Sequence, residues 1–508
     1  MTEPQPGSAP LAARWWAALA ALPLLVVAVR ALGFLPSVID WDESLYLIQA
    51  REWLRGGWPL VAAWDMHPIG APAMFAAAMA AFGESIFAIR LLGALSVAAT
   101  GWGLFFIARA AGAAPATGYV AALLYAGHSV IQGGISVNGE LLFAPFTTAA
   151  LALALHAGCR PGTAPGWGRL VATGLLIGWA LLIKPVAAPE GCLAFVLLVA
   201  PAWRAGTLSS RRVLQFAAVY ALLCALPTLA FGVIYAAMGQ LDAYLDGSFF
   251  APFRYAQGSE AADALWRIAA AIMILLWLFL ASGAALLLAR RQPLVLAGLA
   301  WFGAATLAVA GPAQFFPHYF IIWLGPLSLL GAVGLVEIAS RLANPLPRGR
   351  PALLMLLVGL VALDPWRADT ANRIWRGPAL WQPDVPARVA ALIAEELPPG
   401  EAIFIPNYQP VVYVLAQAGI PTRFPFPIHL TGAYANLAGN STDGEVDRIL
   451  ATRPRFIVID RGFWGTMRPA AARAITAALE AAYELAYVFP DDRNMIELWR
   501  IRGPDLAE

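Results

Sequence analysis

Eleven apolar spans recur along this sequence, and they constrain its fold more than any other feature. They run at roughly 14–36, 86–108, 116–131, 139–157, 170–185, 186–203, 213–238, 264–289, 293–311, 319–340 and 351–364. A chain of 508 residues that is 60% hydrophobic and only 13% charged reads as a polytopic α-helical membrane protein, not a soluble domain with a large core. The span after Arg14 is long and has no small-residue cleavage site behind it, so it reads as a retained helix. Residues 70–83 are apolar too, but a helix of that length reaches only about 21 Å, against a hydrocarbon core of about 30 Å.

Charge placement decides how those spans are threaded. If 70–83 does not cross, then Arg109, Arg160, Arg169, Arg204, Arg211, Arg212, Arg290, Arg291, Arg341, Arg348 and Arg350 share one side with the N-terminus. Positive residues favour the cytoplasm. The expectation is a cytoplasmic N-terminus, an inner-membrane location in a bacterium, and a C-terminal part on the periplasmic side. Residues 1–364 then form a transmembrane domain with a first outer loop at 37–85. Residues 365–508 form a small soluble α/β domain, with helices expected at 385–397, 411–419 and 470–484. Its strands are expected at 401–406, 455–460, 486–489 and 495–501.

The outer loop holds the densest polar stretch of the first third. Asp40, Asp42, Glu43, Glu52 and Asp65 fall there, with His67 close behind. Carboxylates beside a membrane are costly unless they face water, a partner or a substrate. Residues 42–55 read as an amphipathic helix lying in the interface, with Tyr46, Leu47, Ala50, Trp53 and Leu54 on its apolar arc and Arg51, Glu52 and Arg55 opposite. Asp42 stands at the N-cap position, and Gly56-Gly57 ends the helix.

Other polar residues fall at the same predicted face: Asn138-Gly139-Glu140, Lys184, Asp242, Asp246, Arg254, His318 and Tyr319. Lys184 is the only lysine among 33 basic residues. An ammonium is a compact point charge suited to phosphate. The plain alternative is a side chain that snorkels at a helix end. Carboxylates, a lysine, histidines and an arginine at a membrane surface suit group transfer from a lipid-linked phosphate. The leaving phosphate needs cationic groups, and the attacking hydroxyl needs a carboxylate base. Cys159, Cys192 and Cys224 form no disulfide framework or CxxC pattern. Nucleotide-binding glycine motifs, a nucleic-acid face and a metal-ligand cluster are all missing from the sequence.

Asp42-Glu43-x-x-Tyr46, Ala50-Arg51, Gly56-Gly57, Trp64-Asp65-x-His67-Pro68-x-Gly70, Phe82-Gly83 and Arg90-Leu91 resemble the first outer loop of one known group. These are the C-superfamily (GT-C) glycosyltransferases of family 39, similar to protein O-mannosyltransferases and to the aminoarabinose transferases of lipid A. Asn138-Gly139-Glu140, Leu182-Ile183-Lys184-Pro185 and His318-Tyr319-Phe320 extend the resemblance over about 35–340. It implies a polyprenyl-phosphate sugar as donor and inverting transfer to a lipid, glycan or protein on the outer face. It also implies membrane lipids as surroundings, and Asp42 with Glu43 at the reaction centre. Tyr46, Asp65, His67, Glu140, Lys184, Arg254, His318 and Tyr319 are then candidates for binding the donor and its phosphate. His67-Pro68-Ile69 departs from the family's frequent Lys-Pro-Pro, which leaves Lys184, Arg254 and His318 as alternative phosphate cations. Two other classes stay open: a transporter or flippase of a lipid-linked glycan, and a scaffold in which Asp42 merely caps a helix.

Overall fold

The computed structural model describes residues 8–158, 164–256, 261–343, 349–375, 377–435, 437, 442–491 and 494–502. Cys159, Arg160 and Arg348 lie outside them. The chain divides into two compact units, the first formed by Met1–Gly33, Arg90–Phe231 and Ser259–Trp375. The second is formed by Phe34–Ile89, Gly232–Gly258 and Arg376–Glu508.

Every one of the eleven expected spans is helical. Among the described residues, seven helices are long and apolar enough to cross a membrane. An eighth candidate is the pair Asp263–Ile274 and Leu276–Ala289, bent by 76° at Leu275. The remaining spans are the shorter helices Ala13–Val29, Trp167–Ile183 and Pro115–His128. Residues Gly70–Phe82 form a helix of 13 residues. The last apolar span does not stop at Asp364. Its helix runs Arg350–Ile374 straight through Pro365, because one missing N–H removes a single ladder bond and need not end a helix.

In the first unit the helix Ile321–Leu342 is the most enclosed of the candidate spans. It packs closely on Leu276–Ala289, where a Cβ on Gly334 would collide with the Ala281 carbonyl. Small residues at such contacts let apolar helices approach where hydrophobic burial gives little drive.

The second unit is built on an antiparallel three-stranded sheet: β1 (Phe456–Asp460), β2 (Tyr483–Asp491) and β3 (Asn494–Ile501), in the order β1-β3-β2. β1 is buried along its whole length, and Pro469–Ala482 forms the expected helix. Residues 401–406 do not form a full strand. They make single bridges, Ala402 to Gly419 and Phe404 to Ile457, and Pro406 brings no N–H to extend the ladder. The helix at 411 is only Val411–Leu415, with Gln417 at φ 51° ending it. Trp64 of the first loop belongs to the core of this unit with Phe404, Phe424, Ile457, Ile459 and Ile475.

Candidate functional site

In the second unit the first-loop helix is Trp41–Leu54. Its N-cap is Asp40, whose carboxylate accepts the Asp42 N–H at 2.9 Å. The expectation that Asp42 caps the helix is therefore corrected. Capping needs extended backbone, which Asp40 has (φ −136°, ψ 146°), and Asp42 falls inside the first turn beside Glu43. The helix closes on Gly56 at φ 94°, with Gly57 N–H donating to Glu52 O at 2.8 Å, a Schellman ending.

Nor is this helix an amphipathic one resting in the interface. Residues from Glu43 to Arg51 are all buried. Arg51, expected on the wet side, has an inaccessible side chain that donates to Tyr413 O at 2.6 Å and pairs with Glu52 at 3.0 Å. A carbonyl and a carboxylate compensate the guanidinium, so its burial is tolerated.

Tyr46, Asp65 and His67 come together. His67 Nδ1 lies 3.0 Å from Asp65 Oδ2, and the Tyr46 ring meets the His67 ring edge-on at 5.9 Å. Tyr46 is one turn along the helix from Asp42. Burial opposes ionisation of Asp65, yet the His67 ring, with smaller help from His429 and the Met66 N–H, holds its carboxyl below the ordinary value.

His429 was missed by sequence reasoning. It stands in the short helix Pro427–Leu430, fully enclosed, its ring edge-on to Trp64 at 5.0 Å and to Phe426 at 5.1 Å. Burial pushes its pKa down to about 4, against a pull upward from Asp65, so the ring is neutral at pH 7. The available signal was scarcity: the chain has five histidines, and this one sits in the long aromatic loop after residue 423. Arg254 is tied elsewhere in the unit, to Asp246 at 2.6 Å and to the Leu437 carbonyl at 2.8 Å.

In the first unit, Lys184 stands at the break between helices Trp167–Ile183 and Ala188–Arg204, where Pro185 forces the extended backbone (φ −154°, ψ 122°). Its ammonium is 2.5 Å from Glu140 Oε1 and 4.6 Å from the centre of the Tyr319 ring. Both partners are buried, which excludes a lysine that snorkels to the headgroups. His318 packs edge-on to Tyr319 at 4.8 Å. Asn138, just ahead of Glu140, is buried with neither side-chain polar atom bonded among the described residues. Arg30 fixes the preceding loop, donating to Ser129 O at 2.8 Å and Ile135 O at 3.0 Å. Arg30, buried inside an expected apolar span, was a second omission of the sequence reading. Among the described residues, no three His, Cys, Asp or Glu side chains gather to hold a metal ion.

Residues 66–231 match the profile of the family described as dolichyl-phosphate-mannose-protein mannosyltransferase. No curated protein matches the sequence. Solved structures share the fold at low identity. The crystal structure of ArnT from Cupriavidus metallidurans bound to undecaprenyl phosphate is 16% identical, with TM-score 0.63, over 95% of this chain and 98% of that one. The arabinofuranosyltransferase AftD from Mycobacteria is 16% identical, with TM-score 0.53, over 97% of this chain and 40% of that one. The Archaeoglobus fulgidus oligosaccharyltransferase in its apo form is 16% identical, with TM-score 0.52, over 89% of this chain and 70% of that one. The chain has the fold of the GT-C membrane glycosyltransferases, and over residues 66–231 it matches the dolichyl-phosphate-mannose-protein mannosyltransferase family.

Proposed function

We propose that the protein is an inverting glycosyltransferase that moves a sugar from a polyprenyl-phosphate donor to a lipid, glycan or protein hydroxyl at the outer face of the membrane. One observation carries this reading. The fold follows, over nearly the whole chain, that of an ArnT seen bound to undecaprenyl phosphate. The arginine-rich connections support a cytoplasmic N-terminus and an outer location for residues 365–508.

In the reaction, the acceptor oxygen bonds to the anomeric carbon as the bond from that carbon to the phosphate oxygen breaks. The acceptor proton passes to Asp42, and polyprenyl phosphate leaves. Asp42 is assigned the base because it stands in the first turn of a buried helix and does not cap it. The N-terminal end of a helix favours its ionised form. Glu43 neighbours it, and Tyr46, Asp65 and His67 shape the surroundings. Lys184, oriented by Glu140 and Tyr319, is assigned the donor phosphate, with His318 and Arg254 as further cations or donors. Incubating purified protein with a labelled, synthetic polyprenyl-phosphate sugar and membranes of a deletion strain tests the reading. Label appearing in a lipid, glycan or protein product supports it. A donor that is moved across vesicles but never cleaved favours the flippase class.

A further inference from the structure

Three helices of the first unit, Ala13–Val29, Pro115–His128 and Arg350–Ile374, border an apolar groove of about 740 Å³. Small residues hollow it out: Ala116, Ala126, Gly127 and Gly359 are all in its lining. The groove is pinched shut at one end. There the Trp366 indole N–H donates to Val29 O at 3.1 Å, and a Cβ on Gly127 would collide with the Ala362 carbonyl. At the other end Trp15 meets Tyr119 edge-on at 5.9 Å, and Arg350, the first residue of its helix, joins the lining. No Asp or Glu lines the groove, and among the described residues no carboxylate pairs with Arg350. Arg14, exposed, precedes Trp15. The groove follows the whole of Pro115–His128, a helix about 21 Å long, against a hydrocarbon core of about 30 Å.

We propose that this groove binds an anionic phospholipid, with an acyl chain along the apolar walls and the headgroup phosphate on Arg350. Charge and shape together select that occupant. Apolar walls between membrane helices match a hydrocarbon chain and offer nothing to a peptide backbone, whose polar groups would go unbonded. A guanidinium grips phosphate through paired N–H donors, and Arg350 has no carboxylate to compete with it. A zwitterionic headgroup brings its own cation to its phosphate, so an anionic one gains more from Arg350. In the proposed threading the Arg350 end is cytoplasmic, the side where anionic lipids gather and basic pockets between helices hold their headgroups. The donor is a poorer fit. The chain leaves Pro115–His128 at the pinched end and reaches Glu140 through the loop 129–138. Lys184, assigned to the donor phosphate, pairs with Glu140 and does not line the groove.

The test uses the purified full-length protein, stripped of lipid in a neutral detergent, and native mass spectrometry. Phosphatidylglycerol and phosphatidylcholine with the same acyl chains are the probes. Phosphatidylglycerol should stay bound and raise the melting temperature, and phosphatidylcholine should do neither. Arg350→Gln should weaken phosphatidylglycerol binding about tenfold, the loss of one charge-assisted hydrogen bond. Without lipid this variant should melt like wild type, because Arg350 makes no ion pair among the described residues. Gly359→Leu should abolish binding with Arg350 in place. A Cβ there has only Leu363 within 4 Å, at 3.9 Å, so the added side chain has room to fill the groove. Equal binding of the two lipids overturns the proposal, as does undiminished phosphatidylglycerol binding by Arg350→Gln. Displacement of phosphatidylglycerol by an equal concentration of undecaprenyl phosphate would also overturn it and give the groove to the donor. No sugar is transferred in the measurement, so its outcome is independent of the transferase reading.

Discussion

The Lys184 ammonium lies 2.5 Å from the Glu140 carboxylate, both buried, at a proline break between two apolar helices. Removing one partner of such a pair strands the other charge and costs about 3–5 kcal/mol. Lys184→Ala and Glu140→Gln should each lower the melting temperature sharply. The double variant Lys184→Met with Glu140→Leu should regain most of that stability, since an apolar pair of similar volume is often neutral. It should not regain donor use. Lys184→Arg should restore transfer only in part, because the guanidinium is larger and planar. A double variant that transfers sugar normally would make the pair purely structural.

Asp40 caps the first-loop helix, and the proposed reaction gives the role of base to Asp42 instead. Asp40→Ala removes the helix cap and should cost about 1 kcal/mol, read as a lower melting temperature. Transfer per folded molecule should be largely kept. Loss of transfer by Asp40→Ala without any loss of stability would move the chemistry to Asp40.

His429 gives the second unit a pH-dependent stability. Its pKa is about 4 in the fold, against 6.5 for the free side chain. Between those values the unfolded chain binds the proton and the folded one does not. Stability is therefore complete above about pH 6.5 and is lost as pH falls toward 4, by up to ~3 kcal/mol. Asp65 and His67 are the titratable groups beside it; the depressed Asp65 pKa keeps that carboxylate ionised over this range. Thermal melts of wild type and His429→Phe from pH 7 to 4.5 check this. The variant should lose less stability over the range, and parallel curves would contradict the assignment.

The threading has its own test. Reporter tags at positions 206 and 345 should give cytoplasmic signals, and a tag at 508 an outer one. A cytoplasmic signal at 508 would contradict the outer placement of residues 365–508.

Much of the helical architecture could be read directly from hydropathy, because a bilayer demands long apolar runs wherever the chain crosses. The motif residues Asp65, His67, Glu140 and Lys184 could be named, but their partners could not. Lys184 pairs with a glutamate 44 positions away, and Arg51 donates to a carbonyl 362 positions on. No local pattern records such closures. The first-loop helix was misread for a related reason. Its mixed sequence resembles an interfacial helix, yet distant segments cover its polar side, and burial by distant segments leaves no periodicity. His429 was invisible until Trp64 was seen to join the core of the C-terminal sheet.

The most direct test of the account is sugar transfer by Asp42→Asn. Asparagine keeps the shape and cannot accept the proton. A positioned base is worth about 10²–10⁴-fold in rate. The purified variant should melt like wild type and bind the polyprenyl-phosphate sugar, while transferring it roughly 10²–10⁴ times more slowly. Transfer at close to the wild-type rate would contradict the account and pass the role of base to Glu43 or Asp65.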